Sequence, residues 1–360
     1  MEKNFWIVIA VLLSFLFLIF MIKELESLYI TESFIKKHMM NQNGTIATYR
    51  LRTQQTEPDY ALGRESLSES SGLWLEYLWR EKKLDEWREH VAVVKREFVT
   101  TDNLLIWKLA EDGSEIATTN ALIDDLRFIE VLFEAGEDIE FAKKVSQAVL
   151  KYNRNKFFFV DFFDNSSRTK ANSLTISYIN PRALQFMMKQ GVFSESEWNR
   201  VVKFLTDLPR KNWAYPKTYI EKANIETYQY DKEVNLIDQS YIAYHKSLIG
   251  LRSPAYMEFI KKEFAASNKL FGRYSLETSK PLVTYESPAL YGLTILYCIE
   301  ENEYELGKQL YERMIAFRDN DKNSQYYGGY VTLANNDTHI FDNLFPLLAE
   351  QALSQKGIIK

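Results

Sequence analysis

Cysteine occurs once in 360 residues, at Cys298 in the apolar run 291–299, so no disulfide can form within the chain and burial as a small hydrophobe is expected. Histidine is almost as scarce. His38, His90, His245 and His339 are scattered, none stands at metal-ligand spacing from another, and neither H-E-x-x-H nor C-x-x-C occurs. G-x-S-x-G and Gly-rich phosphate loops are missing too, so metal, serine-nucleophile and nucleotide chemistry have no signal, and no cofactor is expected. Glycine (13) and proline (8) are few, which favours long helices over a turn-rich β fold. Lys and Arg number 44 against 49 Asp and Glu, and the net charge of −5 argues against nucleic acid as a partner.

Aromatic residues are plentiful. The chain has 22 Tyr, 23 Phe and seven Trp, more than packing usually asks for, and stacking on sugar rings is one use for the surplus. Residues 5–22 (FWIVIAVLLSFLFLIFMI) form an apolar run whose one polar member is Ser14. As a helix the run spans roughly 27 Å, enough to cross a hydrocarbon core. A cleaved signal peptide is the competing reading. Against it stand a barely basic start (Met1-Glu2-Lys3-Asn4), the length of the run, and the absence of an A-x-A site or lipobox cysteine after it. The expected organisation is a short cytoplasmic start (1–4), a transmembrane anchor (5–22), a stalk (23–54) merging into a domain, and that domain from 55 to 360. Lys3 and Lys23 leave orientation open.

Beyond the anchor, apolar residues keep a helical period in segment after segment. Helices are expected over 33–40, 72–80, 85–99, 125–135, 139–152, 181–191, 194–208, 237–250, 253–267, 287–301, 303–318 and 339–353. Most fall in pairs joined by a few residues, and each such pair is an antiparallel hairpin. Six hairpins can close into a toroid, the all-α (α/α)6 barrel. Longer connections, over 100–124, the aromatic β-like run 156–164 with 173–178, and 209–236, could gather on one face as a cleft.

One stretch, Gly63–Trp79 (GRESLSESSGLWLEYLW), puts a carboxylate at the mouth of an apolar helix expected to begin near Gly72. Glu69 can be presented to a cleft from there. Ser66-Leu67-Ser68-Glu69 also fits a capping box, which would occupy the same carboxylate with the helix start. Other acids lie in the long connections: Asp124-Asp125 before one helix and Asp231, in YQYD, before another. For these too, N-capping is the structural alternative.

Leu67-Ser68-Glu69-Ser70-Ser71-Gly72, Leu104–Trp107, Asp124-Asp125-Leu126, Leu174–Tyr178 with Pro181 and Ala183, and Tyr230-Asp231 occur in this order. Together they resemble the landmarks of family 8 glycoside hydrolases, the cellulase, chitosanase and xylanase group, over roughly 63–254. The resemblance implies an (α/α)6 barrel and hydrolysis with inversion at the anomeric centre. It makes Glu69 the general acid and Asp231 the base that activates water, with the two carboxyls ~6.5–9.5 Å apart. Asp125 would hold the sugar at the cleavage point, with Asp124 or Asn120 as the first acid-position residue of that element. Trp107, Tyr230 and Tyr178 would bind substrate, although core packing accounts for the aromatic pair Trp107 and Tyr230 equally well. Val234 stands where the family has Arg, so the base is differently supported, and Ser70-Ser71 replaces Gly-Gln. The implied partners are a polysaccharide substrate, the membrane through the anchor, and the exopolysaccharide synthesis machinery. Alternatives from other classes are a non-catalytic polysaccharide-binding protein, and a lyase or exo-acting glycuronidase on the same toroid.

Overall fold

The structure is a computed structural model that describes residues 30–55, 57–155, 158–222 and 225–359. The expected start and anchor, 1–22, lie outside the described residues. Among the described residues no helix is long and apolar enough to cross a membrane. The chain is mostly helical. Its helices are α1 (residues 30–38), α2 (Ser68–Arg80), α3 (Leu84–Glu97), α4 (Leu122–Ala135), α5 (Ile139–Tyr152) and α6 (Pro181–Lys189). They continue with α7 (Glu195–Thr206), α8 (Leu236–Ser247), α9 (Pro254–Ser267), α10 (Pro288–Glu300), α11 (Tyr304–Met314) and α12 (Phe341–Gln355).

The even-numbered helices pack in chain order, α2 on α4, α4 on α6, α6 on α8, α8 on α10 and α10 on α12, and α12 returns to α2. That closes an inner ring. Outside it, α3, α5, α7 and α11 lie against their hairpin partners, and α9 reaches α8 and α10 through Tyr256, whose hydroxyl is 2.6 Å from Ser240 Oγ and whose ring lies near Tyr297. α1 completes the outer layer, where Glu32 accepts from Tyr77 (2.7 Å) and Lys83. The stretch expected as a stalk is thus part of the domain from residue 30, with Phe34, Ile35 and Met39 in the core.

Burial explains which helices went inside. α10 is buried continuously from Pro288 to Ile299, so it has no face to offer water, whereas α7 buries only Phe204 and Leu205 on one stripe. Helix ends follow local chemistry. Ser194 and Glu197 make a capping box on α7, Asn180, Asn235 and Ser287 cap α6, α8 and α10, and Gly136 ends α4 in the left-handed region.

The inner helices start on one face of the toroid. Ser68 at the start of α2 donates to Asp124 at the start of α4 (2.5 Å), Ser177 just before α6 donates to Asp238 at the start of α8 (3.2 Å), and Ser287 before α10 donates to Asp342 in α12 (2.7 Å). Short antiparallel strands bind the connections above these starts. Ser66–Leu67 pairs with Lys108–Leu109, Glu233–Asn235 with Arg273–Ser275, and Leu174–Thr175 joins a sheet with Thr218–Lys222 and Ile225–Gln229.

The tightest inner contact sets a test of the packing. A Cβ on Gly292 of α10 would lie 2.5 Å from the Phe345 carbonyl carbon and 2.7 Å from Pro346 N, main-chain atoms of α12 that cannot rotate away. On Gly307 of α11 it would meet only Cys298 Cβ at 3.6 Å and Leu353 Cδ2 at 3.8 Å. Gly292→Ala is therefore expected to destabilise the fold by about 1–3 kcal/mol or more through overpacking. Gly307→Ala should leave stability unchanged or raise it by up to about 1 kcal/mol through helix propensity. Urea unfolding followed by circular dichroism measures both.

Candidate active site

The helix carrying Glu69 begins at Ser68, four residues before the expected start. Its N-cap is Leu67, with no side-chain cap bond, and Ser66 turns away to accept from Asn41 (3.0 Å) and donate to Thr45 (2.7 Å). The capping box is not formed. Glu69 sits in the first turn of α2 with its side chain 18% exposed, near the positive end of the helix dipole.

Its carboxyl is held by an opposing helix. Tyr241 of α8 donates its hydroxyl to Glu69 Oε1 at 2.6 Å, and Arg127 of α4 donates Nη2 to that hydroxyl at 3.0 Å. Arg127 Nη2 is also 3.5 Å from Glu69 Oε1, and Nη1 is 3.6 Å from Glu76 Oε2. Arg127 reaches this position across α2 at Gly72. A Cβ there would stand 2.7 Å from Arg127 Cδ and 3.1 Å from Cγ, so the Gly in S-E-S-S-G is where the arginine stem crosses the helix.

Asp124 faces the same point. It is 4% exposed, and burial together with the Glu69 charge pushes its carboxyl well above the usual range, against the pull of Ser68 and Arg127. Burial likewise raises the hydroxyls of Tyr241 and Tyr178. For Tyr241 the Glu69 charge adds to it, and for Tyr178 the charges of Asp124, Glu69, Asp161 and Asp238 do. Tyr178 thus stands within the field of carboxylates from both sides of the ring mouth.

Asp125, expected to hold the sugar, is 0% exposed. Its oxygens accept from Leu105 N (2.9 Å) and Asn120 Nδ2 (2.5 Å), while Asn120 also donates to Asn153 Oδ1 (2.9 Å) and accepts from Phe163 N (2.7 Å). Asp125 is therefore a tie between connections with no surface left for a ligand, Asn120 shares that tie at the wall of the neighbouring cleft, and Asp124 is the acid beside Glu69. Burial pushes Asp125 up to about 7.

Asp231 lies in a separate small pocket with Lys217, Asp238, Tyr215 and Asn235. Its side chain is 47% exposed and stands 3.3 Å from Lys217 Nζ. Asp238, on the first turn of α8, is pushed up by burial and by the Asp231 charge, against the pull of Lys217 and Ser177. Val234, at the family's Arg position, is buried and paired with Tyr274 across two strands, so a lysine rather than an arginine accompanies Asp231. Ser177, next to Tyr178, donates to Asp238, whose charge acts on the Tyr178 hydroxyl together with that of Glu69.

Trp107 and Tyr178 line a cleft of about 550 Å³ with Asn120, Asp161, Ile116 and Phe162, the last two largely exposed. Trp107 is joined to the acid's helix, since its carbonyl accepts from Ser68 N at 3.1 Å. Tyr230 is not among the residues lining this cleft, and its ring lies under Lys211 Nζ at 4.5 Å. Among the described residues no group of three or more His, Cys, Asp or Glu is arranged to hold a metal ion. Arg127, Tyr241, Asp238 and Phe162 were not singled out from the sequence. A signal existed for Arg127, because L-I-D-D-L-R-F-I-E-V-L-F puts charges inside a segment otherwise apolar enough for the core.

No family model matches the chain. The protein YdaJ of Bacillus subtilis (strain 168), named as a lipoprotein, is 35% identical over 336 residues, covering 91% of this chain and 88% of that one. Among solved structures, an alpha-amylase from Clostridium perfringens superposes with a TM-score of 0.79 at 22% identity, over 91% of this chain and 97% of its own. Endoglucanase Cel10 from Klebsiella pneumoniae, a family 8 glycosyl hydrolase, gives 0.61 at 12% identity over 91% and 99%. A closed double ring of helices with acids at one mouth is thus a glycoside hydrolase fold. The chain belongs to the same family as YdaJ, and its fold is that of the family 8 glycoside hydrolases.

The raised Asp125 carboxyl has a consequence for stability. Its folded value of about 7 lies above the ordinary aspartate value of 3.8, so the folded protein binds the proton more tightly than the unfolded chain does. Burial of the charged form costs nothing below about pH 4, and the cost is fully present above about pH 7. Wild-type stability should therefore carry a falling component between these limits, and Asp125→Asn should flatten it. Urea midpoints of both proteins at pH 4, 5.5 and 7.5 check this, and equal slopes would contradict it.

Proposed function

We propose that this protein is an endo-acting glycoside hydrolase that cuts a polysaccharide by an inverting acid/base mechanism on the extracytoplasmic side of the membrane. The observation that carries this reading is the Glu69 carboxyl. One of its oxygens is anchored by Tyr241 and Arg127 at the mouth of the ring, on a helix whose first residue bonds to Trp107 of a cleft that Tyr178 also lines.

In this reading Glu69 is the general acid and protonates the leaving oxygen. Asp231 is the base that takes a proton from water on the opposite face of the sugar, which inversion requires. Lys217 is ion-paired with it at 3.3 Å, and Asp238 adds a second carboxylate to the same pocket. Asp124, rather than the enclosed Asp125, holds the sugar at the cleavage point, and Tyr178, flanked by both groups of acids, contacts the reacting centre. Trp107 stacks on a neighbouring sugar ring, and Tyr230 binds substrate nearer Asp231.

The relative's designation as a lipoprotein supports a protein held at the outer face of a membrane. In this chain Cys298 is the sole cysteine and lies buried in the core, so the tether is the apolar run 5–22 rather than an attached lipid. Held there, the hydrolase meets polysaccharide as it leaves the cell, with the exopolysaccharide synthesis machinery as its neighbour. The similar solved structures are named for different glucans, so the fold leaves the sugar to the loops of this chain.

A second reading, a non-catalytic polysaccharide-binding protein, draws on one observation: Asp231 is half exposed, ion-paired, and without the family's arginine. Reducing-end release by the full chain in detergent, against β-glucans, chitosan, α-glucan and cell-surface exopolysaccharide, separates the two. The hydrolase reading expects cleavage of at least one polymer, with Glu69→Gln and Asp231→Asn each slower by about 10²–10⁴. Binding of polymer with no cleavage by any of the three proteins would favour the binder. Unimpaired cleavage by intact Glu69→Gln would remove the acid assignment.

A further inference from the structure

The hydrogen bonds around Glu69 are one-sided. Oε1 takes both the Tyr241 hydroxyl at 2.6 Å and Arg127 Nη2 at 3.5 Å, while among the described residues Oε2 accepts no hydrogen bond. Glu69 sits on α2, Arg127 on α4 and Tyr241 on α8, three separate walls of the inner ring, so the anchor is built by ring closure and not by the acid's own helix. Each member is itself held. Arg127 is fixed by Glu76 at 3.6 Å and by its crossing at Gly72, and the Tyr241 ring stands edge-on to Phe345 of α12, with centroids 5.8 Å apart at 79°.

We propose that Arg127 and Tyr241 are positioning residues: Arg127 aims the Tyr241 hydroxyl, and that hydroxyl pins Glu69 Oε1 so that Oε2 is the oxygen that meets the glycosidic oxygen. The inference rests on the reading of Glu69 as the acid. A glutamate side chain has three rotatable bonds, and a misplacement of about 1 Å at a reacting group costs on the order of 10²-fold in rate. A donor from the opposite wall removes that freedom. Asp124 cannot do the same, because its own hydrogen bond comes from Ser68 and its charge repels Glu69 instead of holding it. The arrangement also accounts for a glycine in the middle of α2, which costs helix propensity and is otherwise unexplained.

The test compares wild type, Tyr241→Phe and Arg127→Lys as full chains in detergent. Tyr241→Phe removes the donor while keeping the ring against Phe345, so it is expected to fold. On carboxymethylcellulose, chitosan or starch, whichever the wild type cuts, kcat should fall about 10- to 100-fold with KM within twofold. A glycosyl fluoride of the same sugar needs no protonation of its leaving group, and on it the loss should largely disappear. Arg127→Lys keeps a positive charge but cannot hold Tyr241 and Glu76 together, and should shift the same quantities less. In crystals of Tyr241→Phe the Glu69 carboxyl should leave its wild-type position. A Glu69 carboxyl that stays in place, or equal losses on polymer and fluoride, overturns the proposal. Glu69 moving in a protein whose wild type cuts neither substrate would uphold the anchor and sink the hydrolase reading.

Discussion

Closure of the inner ring is the constraint on which everything else depends. α10 is buried almost all round, and α2, α4 and α12 are buried on most of their surface, so none of them can stand as the outer layer of anything. They are covered only if α12 comes back to α2. Because each outer helix returns the chain antiparallel, closure brings all the inner N-termini to one face. Four of these helices place an acid in their first turn there: Glu69 in α2, Asp124 and Asp125 in α4, Asp238 in α8 and Asp342 in α12. The helix dipoles favour charge of this sign at those positions. An acidic mouth is thus a product of the topology before any ligand is considered.

What distinguishes the acids at this mouth is what the ring sets opposite them. Asp342 accepts from Ser287 and the Ala289 amide, and Asp125 from Leu105 and Asn120, so both are spent on joining neighbouring elements. Glu69 and Asp124 face each other, burial and the Glu69 charge push the Asp124 carboxyl up, and a cation, Arg127 of α4, crosses α2 to offset them. Removing a partner from such a buried group typically costs several kcal/mol, since a charge is left without compensation. Asp231 and Asp238 repeat the arrangement in a wetter setting, with Lys217 as the offsetting cation.

The periodicity of apolar residues made the helices legible. α5 was expected over the residues it occupies, and most others within two or three residues at either end. Hairpin pairing then pointed to the toroid without any knowledge of contacts. The start of α2 was misplaced for a physical reason. Ser68, Glu69, Ser70 and Ser71 are middling helix formers that look like a cap, but Ser68, Ser70 and Ser71 are buried small residues whose helical conformation is dictated by tertiary packing. The same packing turned Ser66 away and so dissolved the capping box that had competed for Glu69.

The site was legible only where its residues lie in connections with recognisable spacing. Glu69, Asp124 and Asp231 stand out as acids beside apolar helices, and Trp107 and Tyr178 as aromatics in long loops. Tyr241 gave no such sign, because within I-D-Q-S-Y-I-A-Y-H it reads as one more aromatic on a buried helix. Its role comes from α8 lying across the ring from α2, 172 residues away in sequence. Asp125 shows the converse: adjacent to Asp124, it points the other way because consecutive helical residues lie about 100° apart, so the two acids of one dipeptide end in different environments. Sequence can locate an acidic pair at the head of a helix. Deciding which of the two meets a sugar needs the angle at which that helix enters the ring.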